Sequence, residues 1–589
     1  MLAGEPAAAE IDRARAALES WENEAPQKSN RALRICYWTP VDREPQPERR
    51  ARLTRVMKHI QEFYRRELAS WGFPGRTLHI ELAEDGLLRL HDVKGSLKSD
   101  ECSETDMQDG DAIRRDCARV LRSEGIEAER ETVVIFCNLA DWDPEKRTMG
   151  HHSPYYASGD SRRGTAWQVD SPLLDSALLG VKDQHINDRQ YGRISLGKYN
   201  SIFVGGVCHE LGHALGLPHC KESAAERAIR GTALMGSGNR TYGDDLRGEG
   251  RGSFLELPHA LKLAAHPLFS GSIKQMGDKA TAEFSGWELT PDSSGLRVRG
   301  RVKANLPVFA VIAYADPDGG NDYDAENAAA IPADDGSFTL HLPRPEKRDR
   351  FASLRFVVVC VNGAATAGNW AANALSLRCR IGADSAYDIA PALERLQLRE
   401  NTAAFVQGTL AEAQLARLSP RVQSALHRLK KPDSANGKPA PSEVAGDVAE
   451  IALSDTSPRT AQTGWGGVHF DRNAEGQPLE GPNGVFTHGL YAHADSLHEY
   501  QLDGKWEKFA GTACVLDGGS GTVDALIESD GRTLWGPKTI KPGEQAAFEI
   551  EVKGAKLLTL KFIGKGGNRS AWSAWGEPRL IRASGAKNP

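Results

Sequence analysis

Val207-Cys208-His209-Glu210-Leu211-Gly212-His213-Ala214-Leu215-Gly216-Leu217-Pro218-His219-Cys220 is the stretch on which the reading of this chain turns. His209 and His213 are four positions apart, so a helix places both imidazoles on one face, where they can share a metal ion. Glu210 lies beside the first of them, within reach of a water on that metal. Gly216 lets the chain leave the helix through a left-handed turn, and Pro218 stops the helix from resuming. His219 can then swing back as a third ligand. Three neutral imidazoles leave the fourth tetrahedral position open, which is the arrangement of a catalytic rather than a structural zinc site. Just upstream, Ile202, Phe203, Val204 and Val207 make the helix apolar, and Asn200-Ser201 is its expected N-cap.

Further towards the N-terminus the pattern is α/β. Arg34–Trp38, Thr77–Leu82, Thr132–Cys137 and Thr165–Val169 are predicted strands. Leu53, Val56, Met57, Ile60, Phe63 and Leu68 give one helix an apolar face, and Ile113, Cys117, Val120 and Leu121 another. Thr132–Cys137 is a continuous apolar run, as expected of a strand covered on both faces. Thr165–Val169 reads either as an exposed edge to which an extended substrate adds or as an internal strand.

With 589 residues, 40% hydrophobic and 26% charged, the chain has globular proportions and room for several domains. A net charge of -6 gives no electrostatic reason to expect a nucleic-acid partner. There is no apolar stretch long enough for a membrane span. Nine cysteines are too few for a disulfide scaffold. The start, Met-Leu-Ala-Gly-Glu-Pro, has no basic segment followed by an apolar one, so no signal peptide is visible. A mature end carrying a new initiator Met reads the same way.

His-Glu-x-x-His-x-x-Gly-x-x-His is the signature of the metzincin zinc peptidases, which the segment from about Ala32 to Phe269 resembles. It also looks like a little-characterised family of zinc peptidases of fungi and bacteria. Metzincins carry a Met in a tight turn beneath the metal. Thr232-Ala233-Leu234-Met235-Gly236 matches it, with Met235 sixteen residues after His219. The resemblance implies one catalytic Zn2+ on His209, His213 and His219, Glu210 as general base and Met235 as the hydrophobic floor. Some metzincins place a Tyr two residues after the Met, where it helps stabilise the oxyanion. Here that position is Ser237, which leaves Tyr242 and Arg240 as candidates for the role or as ordinary loop residues. Cys208 and Cys220 flank the motif. They read as plain buried thiols, with a soft ligand, a redox switch or a Cys220 disulfide as alternatives.

After about Met276 the text changes. Leu296–Val302 and Phe338–Leu342 alternate with period two, and turn residues separate short strands, the pattern of a β-sandwich. Its loop Asp316-Pro317-Asp318-Gly319-Gly320-Asn321-Asp322-Tyr323-Asp324 offers oxygen ligands for Ca2+, or is a solvated acidic turn. Cys360 and Cys379 fall in the same sandwich, where a disulfide between them is one option and sequence does not decide it. Ala390 to Leu429 turns helical, and the Pro-, Gly- and Lys-rich Lys430–Pro441 reads as a linker.

The remainder is Gly- and Trp-rich. His488-Gly489-Leu490-Tyr491-Ala492-His493, Tyr500–Trp506 and Ser573-Ala574-Trp575-Gly576-Glu577-Pro578 resemble the NPCBM family of carbohydrate-binding modules, a β-sandwich fold. Tyr500, Trp506, Phe509 and Trp575 read as core. Sugar binding needs exposed aromatics with planar polar partners. Trp465, Trp535 and Trp572, with His493, Asn568 and Arg569, supply the candidates, and core packing is the alternative for each Trp.

The expected fold is therefore multidomain: an α/β metzincin-like catalytic domain over residues 1–276, a β-sandwich over 277–385, a helical segment and linker over 386–445 and an NPCBM-like β-sandwich over 446–589. The expected function is a zinc-dependent endopeptidase, extracellular or periplasmic, acting on protein or glycoprotein, with a glycan as a second partner. The alternatives are an inactive peptidase fold serving carbohydrate binding or adhesion, and a zinc amidohydrolase acting on non-peptide substrates.

Overall fold

Every residue of Thr132–Cys137 is buried. In the computed structural model, which describes residues 6–103, 107–319, 322–366 and 375–582, this strand is the middle of a five-stranded sheet. The order is Leu90–Lys94, Arg34–Thr39, Thr132–Cys137, Gly164–Val169, Tyr156–Gly159. The first four strands run parallel and the last antiparallel. Alternate side chains serve opposite layers, as a period of two requires. Ile35, Tyr37, Val134 and Phe136 pack with the helices Arg49–Ser70 and Leu196–Ala214. Cys36, Trp38, Val133 and Ile135 pack with Ile113, Cys117 and Leu121 of the helix Met107–Ser123.

Two strand expectations change. Thr77–Leu82 forms only isolated bridges, Leu33 to Ile80 and Leu82 to Leu88. The strand beside Arg34–Thr39 is instead Leu90–Lys94, whose polar sequence hides a burial pattern in which only His91 and Val93 are enclosed. Gly164–Val169 is internal, because Tyr156–Gly159 folds back against it and takes the edge.

A four-stranded sheet of Ala140–Asp143, Thr148–His151, His185–Asp188 and Gly192–Ser195 leads into the Leu196–Ala214 helix. Its N-cap is Ser195, whose hydroxyl accepts from the Lys198 amide, so the helix begins earlier than the Asn200-Ser201 expectation. Asn200 is inside the helix, where its side-chain amide donates to the Leu173 and Leu196 carbonyls.

The chain divides into two compact units, one of Met1–Ser376 with Ile381–Tyr387 and the other of Leu377–Arg380 with Asp388–Pro589. The first holds the α/β layers together with the middle β-strands. Of these, Ala282–Asp292, Gly295–Ala304 and Ser337–Pro343 form one sheet, and Glu326–Ala330, Val308–Pro317 and Arg350–Cys360 adjoin in another. Phe309, Ile312 and Tyr314 of the second sheet join the same buried cluster as the Leu196–Ala214 helix.

In the second unit the helices Ala390–Val406 and Pro420–Leu429 pack through Leu398, Phe405, Val422 and Leu426, with Val485 added from the sandwich. Lys430–Pro441 is not a free spacer. Asp433 accepts from the Phe470 amide at 2.8 Å, and the Pro441 carbonyl accepts from the Trp506 indole at 3.1 Å. Two antiparallel sheets enclose Tyr500, Trp506, Phe509 and Trp575. No disulfide joins the nine cysteines, all buried, so the Cys360–Cys379 pairing is absent. Among the described residues no helix is long and apolar enough to cross a membrane.

Candidate metal centre

The Leu196–Ala214 helix ends where the ligand spacing needs it to. Gly216 has φ of 85°, and the Leu217 amide donates back to the Gly212 carbonyl at 2.9 Å, closing a left-handed cap. The chain doubles back and sets His219 against the helix. Its Nε2 lies 2.9 Å from Nε2 of His213 and 3.3 Å from Nε2 of His209.

The other nitrogens of the helical pair are already committed. Nδ1 of His209 is 2.7 Å from the Leu234 carbonyl and Nδ1 of His213 is 2.8 Å from the Leu217 carbonyl. Each donates its N–H there, which fixes the tautomer and aims the Nε2 lone pair at the other rings. Burial keeps the rings neutral: it holds His209 down at about 3, with His213 adding to the effect, and lowers His213 as well. Converging lone pairs repel unless a cation stands between them. Two nitrogens bound to zinc at tetrahedral angles lie about 3.4 Å apart, close to the His209–His219 spacing. The donor set therefore fits a zinc ion on His209, His213 and His219.

Glu210 is half-buried, and burial pushes its carboxyl up to about 7. Met235 is fully buried beneath the helix. Its sulfur lies 2.5 Å from where a side chain on Gly212 would begin, so the glycine between the two helical histidines makes room for it. The preceding residue, Leu234, supplies the carbonyl that orients His209.

Arg240 and Tyr242 part company. Arg240 is exposed and near enough to the centre to act on Tyr323. Tyr242 is buried against Phe63 and His59, at 5.3 and 5.6 Å between rings, and its hydroxyl is enclosed there. That placement in the core takes it away from any oxyanion. Cys208 also faces the core, and its carbonyl accepts from the Tyr64 hydroxyl at 2.8 Å.

Tyr323 is the residue that sequence reasoning missed. Its ring stacks on His219 at 3.7 Å and lies parallel to His209 at 6.4 Å. Burial raises its phenol pKa, and the Glu210 carboxylate adds to the shift. It comes from the acidic loop of the middle strands, for which the sequence offers calcium ligands or a solvated turn. Arg355 lies 2.9 Å from Asp322 and 3.9 Å from Asp316, so two of the expected calcium ligands in that loop are engaged by a guanidinium. No metal-binding group forms there among the described residues, and Gly320 and Asn321 lie outside them.

In the C-terminal unit, Trp465 and Trp572 lie nearly parallel, 6.5 Å between centroids and 13° between planes. They line a cleft of about 230 Å³ with Arg399, Asn473, Gln477 and Tyr491. Trp465 is 54% exposed, which an aromatic serving only the core would not be.

Residues 449–581 match the NPCBM/NEW2 domain. No curated protein matches the chain. Among solved structures, catalytically inactive OgpA from Akkermansia muciniphila, in complex with an O-glycopeptide (glycodrosocin) substrate, is similar with 20% identity and a TM-score of 0.50, covering 60% of this chain and 94% of that one. Wild-type OgpA from the same organism is 22% identical with a TM-score of 0.49, covering 60% and 94%. A CBM51 from Clostridium perfringens GH95, in complex with methyl-galactose, is 21% identical with a TM-score of 0.21, covering 22% and 99%. At these identities the likeness to OgpA is one of fold.

Within the NPCBM/NEW2 domain the predicted sugar-binding residues separate. Trp572 lines the cleft together with Trp465, which precedes it in the same domain, and His493 supports Trp465 from 5.9 Å. Trp535 instead packs on Phe548 at 5.4 Å. Asn568 and Arg569 are exposed on a turn and do not line the cleft.

Proposed function

We propose that this chain is a zinc-dependent endopeptidase of metzincin type that cleaves glycosylated protein, with its NPCBM/NEW2 domain holding the enzyme to glycan. The observation that carries the reading is the convergence of three Nε2 lone pairs, two of them fixed by backbone carbonyls, beside a buried carboxyl at Glu210.

Zinc held there would supply Lewis-acid chemistry, making water a nucleophile near neutral pH and polarising the scissile carbonyl. Glu210 takes the proton from the attacking water and returns it to the leaving amine. A carboxyl raised to about 7 is matched to both halves of that transfer. Tyr323 walls the cleft over His219, and Arg240 places positive charge on the same side. The Tyr156–Gly159 edge strand offers backbone groups to an extended peptide. OgpA, which shares the fold, has been caught with an O-glycopeptide substrate, and this favours a glycosylated peptide here. The same context supports work on extracellular or periplasmic material.

The test is digestion of a peptide carrying an O-glycan beside its unmodified counterpart, before and after metal removal. Cleavage of the glycopeptide, lost with a chelator and restored by zinc, is expected. Glycan binding without cleavage at any zinc loading establishes the adhesion reading instead. Turnover of small amides but not of peptides establishes the amidohydrolase.

The cleft makes a separate prediction. Trp572→Ala should weaken binding of mucin-type glycan by about tenfold, read by calorimetry, because a stacked aromatic face contributes about that much. Trp535→Ala should leave it unchanged. The reverse ranking would move the sugar site to the Trp535 face.

A further inference from the structure

Directly after the third histidine, Cys220 turns away from the cleft into the interior. There it meets Glu256 and His259, and all three are fully buried. Cys220 Sγ lies 3.8 and 3.9 Å from the two nitrogens of His259, and His259 Nδ1 lies 3.4 Å from Glu256 Oε2. One ligand atom from each falls within 4.8 Å of the others. Apart from the Cys220 thiol beside it, neither oxygen of the Glu256 carboxyl has a hydrogen-bond partner among the described residues. The Tyr314 hydroxyl, close enough to feel Cys220 and Glu256, is likewise buried with no hydrogen-bond partner.

Buried carboxyl oxygens are almost always satisfied, and an exception asks for the ion or water that completes it. Here the neighbours point to an ion. A thiol, an imidazole and a carboxylate are ligand types that zinc takes together. At zinc–ligand distances of about 2.3 Å to sulfur and about 2.0 Å to nitrogen and oxygen, tetrahedral angles separate S from N by about 3.6 Å and N from O by about 3.3 Å. The N–O spacing lies close to its value, and the sulfur stands 3.8 and 3.9 Å from the two ring nitrogens, across the edge of the ring, so a turn of the His259 ring brings one nitrogen to face a shared ion. Glu256 and His259 are three positions apart across the start of the Leu257–Ala264 helix, so one turn presents both to Cys220.

We propose that Cys220, Glu256 and His259 form a second, structural zinc site, with the Tyr314 hydroxyl beside it. Because Cys220 follows His219, an ion there pins the loop that delivers the third imidazole to the first centre. The proposal does not depend on the peptidase reading, since its ligands are a different set.

Cobalt substitution of the full chain separates the two centres. A site of three histidines has no thiolate, so a thiolate-to-cobalt charge-transfer band in the near ultraviolet reports the second site alone. Wild-type protein should bind about two metal ions per chain and show that band. His213→Ala should lose an ion and keep the band. Cys220→Ser should lose an ion and the band together, and Glu256→Gln should lower uptake at the same site should the serine variant not fold. Wild-type protein that takes up cobalt with no charge-transfer band overturns the proposal, whereas a single ion that shows the band counts against the histidine centre alone. A band that survives in Cys220→Ser also overturns the proposal. Loss of the histidine centre in His213→Ala with the band intact bears on the peptidase reading only.

Discussion

Glu210→Gln is expected to lower turnover by about 100- to 10,000-fold while zinc stays bound. Gln is nearly isosteric with Glu, and among the described residues no hydrogen bond ties the Glu210 carboxyl to the helix or to the three histidines, so His209, His213 and His219 should keep their positions. What is lost is the group that accepts a proton from water and hands it on. Side-chain burial poises Glu210 for this, since a carboxyl pushed up to about 7 holds and releases a proton with comparable ease near neutrality. The measurement is kcat on the glycopeptide with metal content determined on the same sample. A variant that keeps both its zinc and its turnover removes Glu210 from the mechanism and with it the reading of the whole centre.

The histidine cluster was legible because its geometry is local. His209, Glu210, His213, Gly216 and His219 fall within eleven residues, and helix geometry plus one left-handed glycine converts that spacing into convergence. Met235 was reachable through the resemblance, and its packing against Gly212 explains why a glycine separates the helical histidines. Tyr323 was not legible in the same way. It lies on a loop between strands that pattern as a separate sandwich, and only tertiary packing carries it to His219. An aromatic among aspartates was the available signal, and the charge pattern itself points only to calcium or to a solvated turn.

The errors in the fold have a similar origin. Leu90–Lys94 carries His91 at an enclosed position where alternation calls for an apolar residue, while Thr77–Leu82 has the apolar content but not the pairing. Burial of one polar side chain is decided by partners elsewhere in the chain, and His91 has its partner in Glu124 at 3.0 Å. Likewise Lys430–Pro441 has the composition of a spacer. Its fate was set by Phe470 and Trp506, which composition does not see.

Long-range pairing of this kind also underlies the largest stability effect expected. Arg52, on the helix Arg49–Ser70, meets Asp170, at the end of the strand Gly164–Val169, with two hydrogen bonds of 2.7 and 2.9 Å. The Arg52 side chain is 7% exposed and that of Asp170 not at all. Arg52 also donates to the Leu174 carbonyl, and the Tyr37 hydroxyl donates to the same carboxylate at 2.9 Å. Asp170→Ala leaves a buried guanidinium without its counter-charge and strips Tyr37 of its acceptor. Removing one partner of such a pair costs about 3–5 kcal/mol, far more than the pair contributes over an apolar replacement, because the stranded charge keeps its desolvation penalty. Urea unfolding of the full chain should show that loss. The double variant Arg52→Met with Asp170→Ala should recover much of it, since the uncompensated charge is then gone. If Asp170→Ala unfolds at the wild-type midpoint, the pair is not what fastens this helix to the sheet. If the double variant is no better than the single one, the loss comes from the strand end itself and not from a buried charge.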